Sequence, residues 1–172
     1  KEGKSIAIVS DAGMPGICDP GEDIARTAKS EAIDIICVPG ACAAITALVS
    51  SGLPCSSFVF EGFLPKKKID REKILLEISK NEKTTIIYES PKRLRKLLKE
   101  LFEFCGGDRE IMVARELTKK FEEHVGNNIY NVIEFFRDKD IIGEITIVIK
   151  GVRKTDFNPN KSIIKKDLND LI

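Results

Sequence analysis

Three times along the chain a short apolar run ends in a tight turn of small or cyclic residues, and the turn opens straight into a helix. The first run is residues 6–9, followed by Ser10-Asp11-Ala12-Gly13-Met14-Pro15-Gly16 and a helix over residues 22–30. The second is residues 33–38, followed by Pro39-Gly40-Ala41-Cys42-Ala43-Ala44 and a helix to about Ser51. The third is residues 84–88, followed by Glu89-Ser90-Pro91 and a helix with Leu94, Leu97, Leu98, Leu101 and Phe102 at helical spacing. Short β-branched runs bounded by turn residues read as buried strands. A helix leaving such a strand is a crossover, and crossovers make successive strands parallel. The repeated pattern therefore predicts an α/β protein. It also predicts that the first two turns lie side by side at the carboxyl ends of their strands, where open α/β sheets bind ligands.

Neither turn carries GxxxxGK[ST] or GxGxxG, so no common phosphate loop is present. Asp19-Pro20-Gly21-Glu22 reads as a helix start with Asp19 as cap and Glu22 as its capping-box acid. Ser90 and Asp70 read as caps of helices over residues 91–105 and 70–79. Residues 55–65 are apolar and partly extended, and a domain boundary is expected there. Beyond it, residues 111–114 form a strand that releases the polar cluster Arg115-Glu116-Leu117-Thr118-Lys119-Lys120. Residues 128–137 form a short helix. Residues 144–150 form a strand with Ile145, Ile147 and Ile149 on its apolar side. The expected organisation is residues 1–54 as the second half of an N-terminal α/β lobe with an incomplete parallel sheet. Residues 55–151 form a mixed-sheet α/β lobe. Residues 152–172 are a linker at Asn158-Pro159-Asn160 and the start of a further helix.

With a formal net charge of +1 the chain has no global footprint for nucleic acid, so any such contact is local. Two patches qualify: Lys66, Lys67 and Lys68, and the helix face with Lys92, Arg93, Arg95, Lys96 and Lys99. On sequence alone the favoured reading of each is plain solvated surface. Five Cys without a C-x-x-C pair, and a single His, argue against a disulfide framework and a zinc site and for a reducing, cytoplasmic setting. His124 reads as a surface residue. No apolar run is long enough to span a membrane. Lys1-Glu2-Gly3-Lys4 resembles the tail of a helix, so the chain is expected to be a piece of a longer protein.

The ordered motifs resemble a known family. They are Ser10-Asp11-Ala12-Gly13-x-Pro15, Asp19-Pro20-Gly21, Pro39-Gly40-x-Cys42-Ala43-Ala44, Ser51-Gly52-Leu53-Pro54, Phe60-Glu61-Gly62-Phe63-Leu64-Pro65, Tyr88-Glu89-Ser90-Pro91-x-Arg93-Leu94 and Ala114-Arg115-Glu116-Leu117-Thr118-Lys119. In this order they are similar to the small-subunit ribosomal RNA 2′-O-ribose methyltransferases of the tetrapyrrole methylase superfamily. Met14 and Ala41 depart from the family's usual Thr and Pro. The resemblance implies S-adenosylmethionine as cofactor, no metal, a cytidine 2′-hydroxyl of 16S rRNA or the 30S subunit as acceptor, and a homodimer. It implies cofactor contacts from Asp11, Ala12, Gly13, Gly16, Cys42, Ala43, Glu89 and Leu117. Catalytic candidates are Glu89, Arg115, Glu116 and Lys119, with Asp11 a further acid–base group. Lys119 qualifies as a base only if its pKa is lowered. Candidate RNA contacts are Lys66, Lys67, Lys68, Lys92 and Arg93. The family's chain begins with one more strand and loop, so the 172 residues alone are expected to have little activity. The alternatives are a tetrapyrrole or small-substrate methylase and a non-catalytic RNA-binding or dimerisation module.

Overall fold

The computed structural model describes residues 3–152; the expected linker and final helix lie outside them. The chain forms two compact units, Lys1–Ala43 and Ala44–Ile172. The sequence reading placed all of residues 43–51 in the first lobe.

The second unit holds a five-stranded sheet: β1 (Phe58–Phe63), β2 (Thr84–Glu89), β3 (Glu110–Arg115), β4 (Glu123–Asn128) and β5 (Ile145–Ile149). Their spatial order is β1-β2-β5-β3-β4. β1 pairs parallel with β2, and β5 runs antiparallel between β2 and β3. β1, β2 and β3 thus point the same way, as crossover connections require. The crossovers are α3 (Lys68–Lys80) and α4 (Pro91–Cys105), with α5 (Ile129–Phe136) leading from β4 towards β5. All three helices pack on one sheet face. Their core contains Leu75, Leu94, Leu98, Leu101, Val132 and Phe136 against Ile87, Val113, Ile147 and Ile149. α2 (Ala43–Ser51) buries Ala44, Ala47 and Leu48, and the Ala44 N–H donates to the Tyr88 hydroxyl at 3.0 Å.

Five local expectations change. β5 is buried along its whole length, including Thr146 and Val148, because it is the central strand and both its faces are covered. β4 was not foreseen: of Glu-His-Val-Gly-Asn-Asn only Val125 is buried, as suits an edge strand. α3 begins at Lys68, so Asp70 lies in its first turn and pairs with Lys67 at 3.5 Å instead of capping. Asp19 does not cap α1 (Glu22–Ser30), whose N-cap is Gly21, without a side-chain cap. Ser90 does hold the N-cap position of α4, but its hydroxyl reaches Glu89 Oε1 at 3.5 Å and makes no cap bond. The working side-chain cap is Asn128 on α5, which accepts from the Asn131 N–H at 2.8 Å.

In the first unit, residues 6–9 and 33–38 have no ladder partner among the described residues. An apolar run becomes a strand only when a neighbour takes up its N–H and C=O groups. Ile6, Val9, Ile36 and Val38 are correspondingly exposed. α1 forms as expected. The loop before it turns through left-handed backbone at Gly13, Gly16 and Cys18.

Candidate functional site

The sheet register organises the candidate residues of the second unit. Glu89 at the end of β2 and Arg115 at the end of β3 both pair with Ile145 of β5. They lie in one row, two strand spacings or about 10 Å apart. The motifs around Leu64, Glu89 and Arg115 therefore end along a single edge.

At the first of these positions a charged network is buried. The Glu89 side chain is 0% exposed, beside Arg71 of α3 at 3.5 Å and Arg93 of α4 at 3.1 Å. The Ser90 N–H donates to Glu89 Oε1 at 2.8 Å. Arg71 Nε donates to Glu100 at 2.7 Å, and Arg93 Nη2 donates to the Leu64 carbonyl at 3.0 Å. One carboxylate thus ties β1, α3, β2 and α4 together. Arg93 and Glu89 are neighbours at i and i+4 across the α4 start. Arg71 and Glu100 were missed in the sequence because nothing local distinguishes them from surface charges.

At the second position the chain leaves β3 through a turn with left-handed φ at both Glu116 (54°) and Thr118 (64°). Non-glycine residues hold such angles only where surrounding contacts fix them. Here the Glu116 N–H donates to the Glu144 carbonyl at 2.9 Å, and the Glu144 N–H donates to Glu116 Oε1 at 2.9 Å. Lys119 Nζ bridges Glu116 at 2.8 Å and Glu144 at 3.0 Å, and the Thr118 N–H donates to Glu122 Oε2 at 2.6 Å. Leu117 sits half-buried between the two left-handed residues. Arg115 is turned to Glu123 at 3.1 Å and the Ile142 carbonyl at 3.4 Å.

These contacts set the titration. The Lys119 hydrogen bond holds the Glu116 carboxyl below the usual range, and the Glu144 N–H adds to this. The hydrogen bonds to Glu116 and Glu144 push Lys119 above its usual value. A lysine base needs the opposite shift, so the geometry makes Lys119 a clamp. A group with a depressed folded pKa contributes stability above its unfolded value and loses it as pH falls through the folded pKa. The raised Lys119 does the reverse, contributing below its unfolded value and losing this as pH rises through its folded pKa. Urea denaturation of Glu116→Gln against the native chain should show a deficit under about 1 kcal/mol at neutral pH. That deficit should shrink below about pH 4.5, and a constant deficit down to pH 3 would contradict the clamp.

In the first unit, the turn with Asp11, Ala12, Gly13 and Gly16 meets the one with Cys42 and Ala43. A Cβ on Gly13 would lie 3.6 Å from the Ala41 carbonyl oxygen. Ser10 Oγ folds the first turn by donating to the Ala12 and Gly13 carbonyls at 3.4 Å each. Of the basic candidates, Lys67 pairs with Asp70 and Lys68 with Glu72 at 3.8 Å, while Arg93 belongs to the buried network. His124 lies on β4, 2.8 Å from Glu122. No cluster of metal-ligating side chains occurs, and no helix is long and apolar enough to cross a membrane, among the described residues.

Residues 1–133 match the family Tetrapyrrole (Corrin/Porphyrin) Methylases. The chain belongs to the tetrapyrrole methylase family. Its curated relatives include proteins named ribosomal RNA small subunit methyltransferase I. That of Thermotoga maritima is 43% identical over 88% of this chain and 67% of its own length. Those of Vibrio cholerae and Bacillus subtilis are each 44% identical over 88% of this chain, and over 53% and 51% of their own lengths. The chain thus spans about half the length of most of these methylases. Among solved structures of the fold is cobalt precorrin-4 methyltransferase CbiF, with TM-score 0.60, 18% identity and coverage of 80% of this chain and 61% of that one. Another is uroporphyrin-III C-methyl transferase from Thermus thermophilus complexed with S-adenosyl homocysteine, with TM-score 0.53, 16% identity and coverage of 79% and 62%. These two fix the tetrapyrrole methylase fold, with its mixed α/β architecture.

Proposed function

We propose that the protein carries out S-adenosylmethionine-dependent methylation of a cytidine ribose 2′-hydroxyl in small-subunit rRNA. One observation carries this. Identity to the relatives named for rRNA reaches 44%, whereas the tetrapyrrole-named structures share the fold at 16–18%. The proposal places the acceptor in 16S rRNA or the 30S subunit, in a cytoplasmic homodimer.

The first unit fits the cofactor: two turns approach each other through backbone, and the absent side chain of Gly13 leaves Ala41 open to contact. Asp11, Ala12, Gly13, Gly16, Cys42 and Ala43 would hold it there; Glu89 and Leu117 are the cofactor contacts that the family resemblance implies for the second unit. When bound, it supplies a methyl group on a sulfonium. The chain's task is then to align the ribose oxygen and accept its proton. The pinned turn presents the Leu117 backbone in a fixed shape, and Arg115 and Glu116 sit at its base. Glu89 acts by holding the β2–α4 junction rigid. Lys119 keeps Glu116 in place. The domain limits proposed for this arrangement are residues 1–54, 55–151 and 152–172.

Calorimetric titration of S-adenosylhomocysteine tests the reading. A form extended at the N-terminus should bind one equivalent per chain with Kd on the order of micromolar, and the 172-residue chain should bind more weakly. No heat from the extended form would remove the methyl-transfer reading and leave an RNA-binding module.

A further inference from the structure

α3 and α4 run the same way, and their N-termini lie together at the carboxyl ends of β1 and β2. Between them is a groove of about 780 Å³ whose lining carries seven basic side chains and three acidic ones. Two of the three carboxylates are already engaged, Glu100 by Arg71 and Lys96 and Glu72 by Lys68, which leaves Glu103 as the one acid of the lining without an ion pair among the described residues. Lys66, Lys92 and Lys99 line the same groove and make no ion pair among the described residues. The groove therefore presents surplus positive charge along its length.

A second observation comes from the groove wall. Arg71 lines the groove and is only 4% exposed, yet its Nη1 has no hydrogen-bond partner. Buried donors are nearly always satisfied. Nε and Nη2 of the same guanidinium are taken by Glu100 and Glu89. The remaining donor belongs to an always-charged fork suited to phosphate oxygens.

We infer that this groove is the track for a single RNA strand, with Lys66, Lys92 and Lys99 neutralising successive phosphates beside Arg71. The inference rests on the rRNA reading above. Lys92, Lys96 and Lys99 are spaced i, i+4, i+7 on one face of α4. The helix rise puts about 10 Å between the outer two. That distance spans neighbouring phosphates along one strand, so the three lysines face a short run of its backbone. An amphipathic peptide would need an apolar stripe, and the groove offers only Leu75 and Phe104. Lys67 and Arg93 are outside the track.

The test is fluorescence anisotropy with a labelled single-stranded segment of small-subunit rRNA, titrated from 50 to 300 mM KCl. The native chain is compared with the triple variant Lys66→Gln, Lys92→Gln, Lys99→Gln. A control triple, Lys73→Gln, Lys80→Gln, Lys83→Gln, removes the same charge outside the groove. Each single-strand phosphate contact contributes about 0.7 to the salt slope. The groove variant should lose about 2 from the slope and roughly a hundredfold in affinity at 50 mM salt. The control should lose under a tenth of that affinity change, with both variants melting at the native temperature. Equal losses in the two variants would overturn the track, as would no RNA binding by the native chain. Loss of inorganic phosphate or poly-glutamate binding with RNA binding intact would overturn it too, giving the groove to a free anion or an acidic protein. Absent heat with S-adenosylhomocysteine alongside the expected slope change would remove methyl transfer and leave the track standing.

Discussion

Arg71→Met is expected to destabilise the second unit by about 3–5 kcal/mol in urea denaturation. Methionine matches the aliphatic stem of the side chain and lacks the guanidinium, so the change removes the charged end while keeping the packing of the stem. The charge is what matters. Arg71 lies between two carboxylates, Glu89 with a 0% exposed side chain and Glu100 with a 20% exposed one. Without it, Glu89 keeps Arg93 and the Ser90 N–H, but one side of a buried anion is left facing apolar neighbours. Glu100 retains only Lys96, at 3.8 Å. A domain's whole stability is about 5–15 kcal/mol, so this single change should remove about a fifth of it or more. The network also explains the expected recovery. Adding Glu89→Gln removes the stranded charge while keeping an acceptor for Ser90, so the double variant should be more stable than Arg71→Met alone. A loss below about 1 kcal/mol for Arg71→Met would mean that Glu89 is already satisfied without it.

The same network shows what the sequence could and could not reveal. Pro91 after Ser90, the helical spacing of Leu94 to Leu101 and the β-branched residues 84–87 act within a few positions of themselves. They placed β2 and α4 correctly. Ile145, Ile147 and Ile149 gave β5 for the same reason, but not that Thr146 and Val148 are buried as well. That depends on β5 being threaded between β2 and β3, which no local pattern states. β4 was invisible because an edge strand needs backbone partners more than apolar side chains, and Glu123–Asn128 offers one Val. The opposite error occurred at residues 6–9 and 33–38, where apolar character suggested strands but no described partner completes a ladder. At the candidate site, Glu89, Arg115, Glu116 and Lys119 stood out because each follows a strand. Their partners Arg71, Glu100 and Glu144 did not, since they are distant in sequence and ordinary in type. Resemblance to a family picked out the motifs, and the contacts give some of them a physical reason. Leu64 supplies the carbonyl for Arg93, and Glu89 supplies the carboxylate for Arg93 and Arg71.

Gly143→Ala should cost about 2–4 kcal/mol and disorder the turn that holds Leu117. Gly143 has φ of 91°, outside the range open to alanine without strain. That strain alone is about 1–2 kcal/mol. The added Cβ would also run into the Glu116 side chain. Glu116 can escape only by releasing the Glu144 N–H and Lys119 Nζ, each worth about 1 kcal/mol in a partly exposed setting. Once released, the turn keeps the Glu116 N–H bond to the Glu144 carbonyl and the Thr118 N–H bond to Glu122 but loses the side-chain clamp that joins Glu116, Lys119 and Glu144. A double-mutant cycle separates the two causes. In Glu116→Ala the clash has no target, so adding Gly143→Ala should cost only the backbone strain. The double variant should therefore be about 1–2 kcal/mol more stable than the sum of the single changes. Strict additivity would show that the two residues do not interlock. The functional consequence follows from the same contacts. In the proposed reading Leu117 meets the cofactor through a shape that Glu116, Lys119 and Glu144 hold in advance, so its loss should appear in binding. In the N-terminally extended form, Gly143→Ala should weaken S-adenosylhomocysteine roughly tenfold, while Gly107→Ala, a substitution at the opposite end of β3 from this turn that meets Phe102, should leave that affinity within twofold.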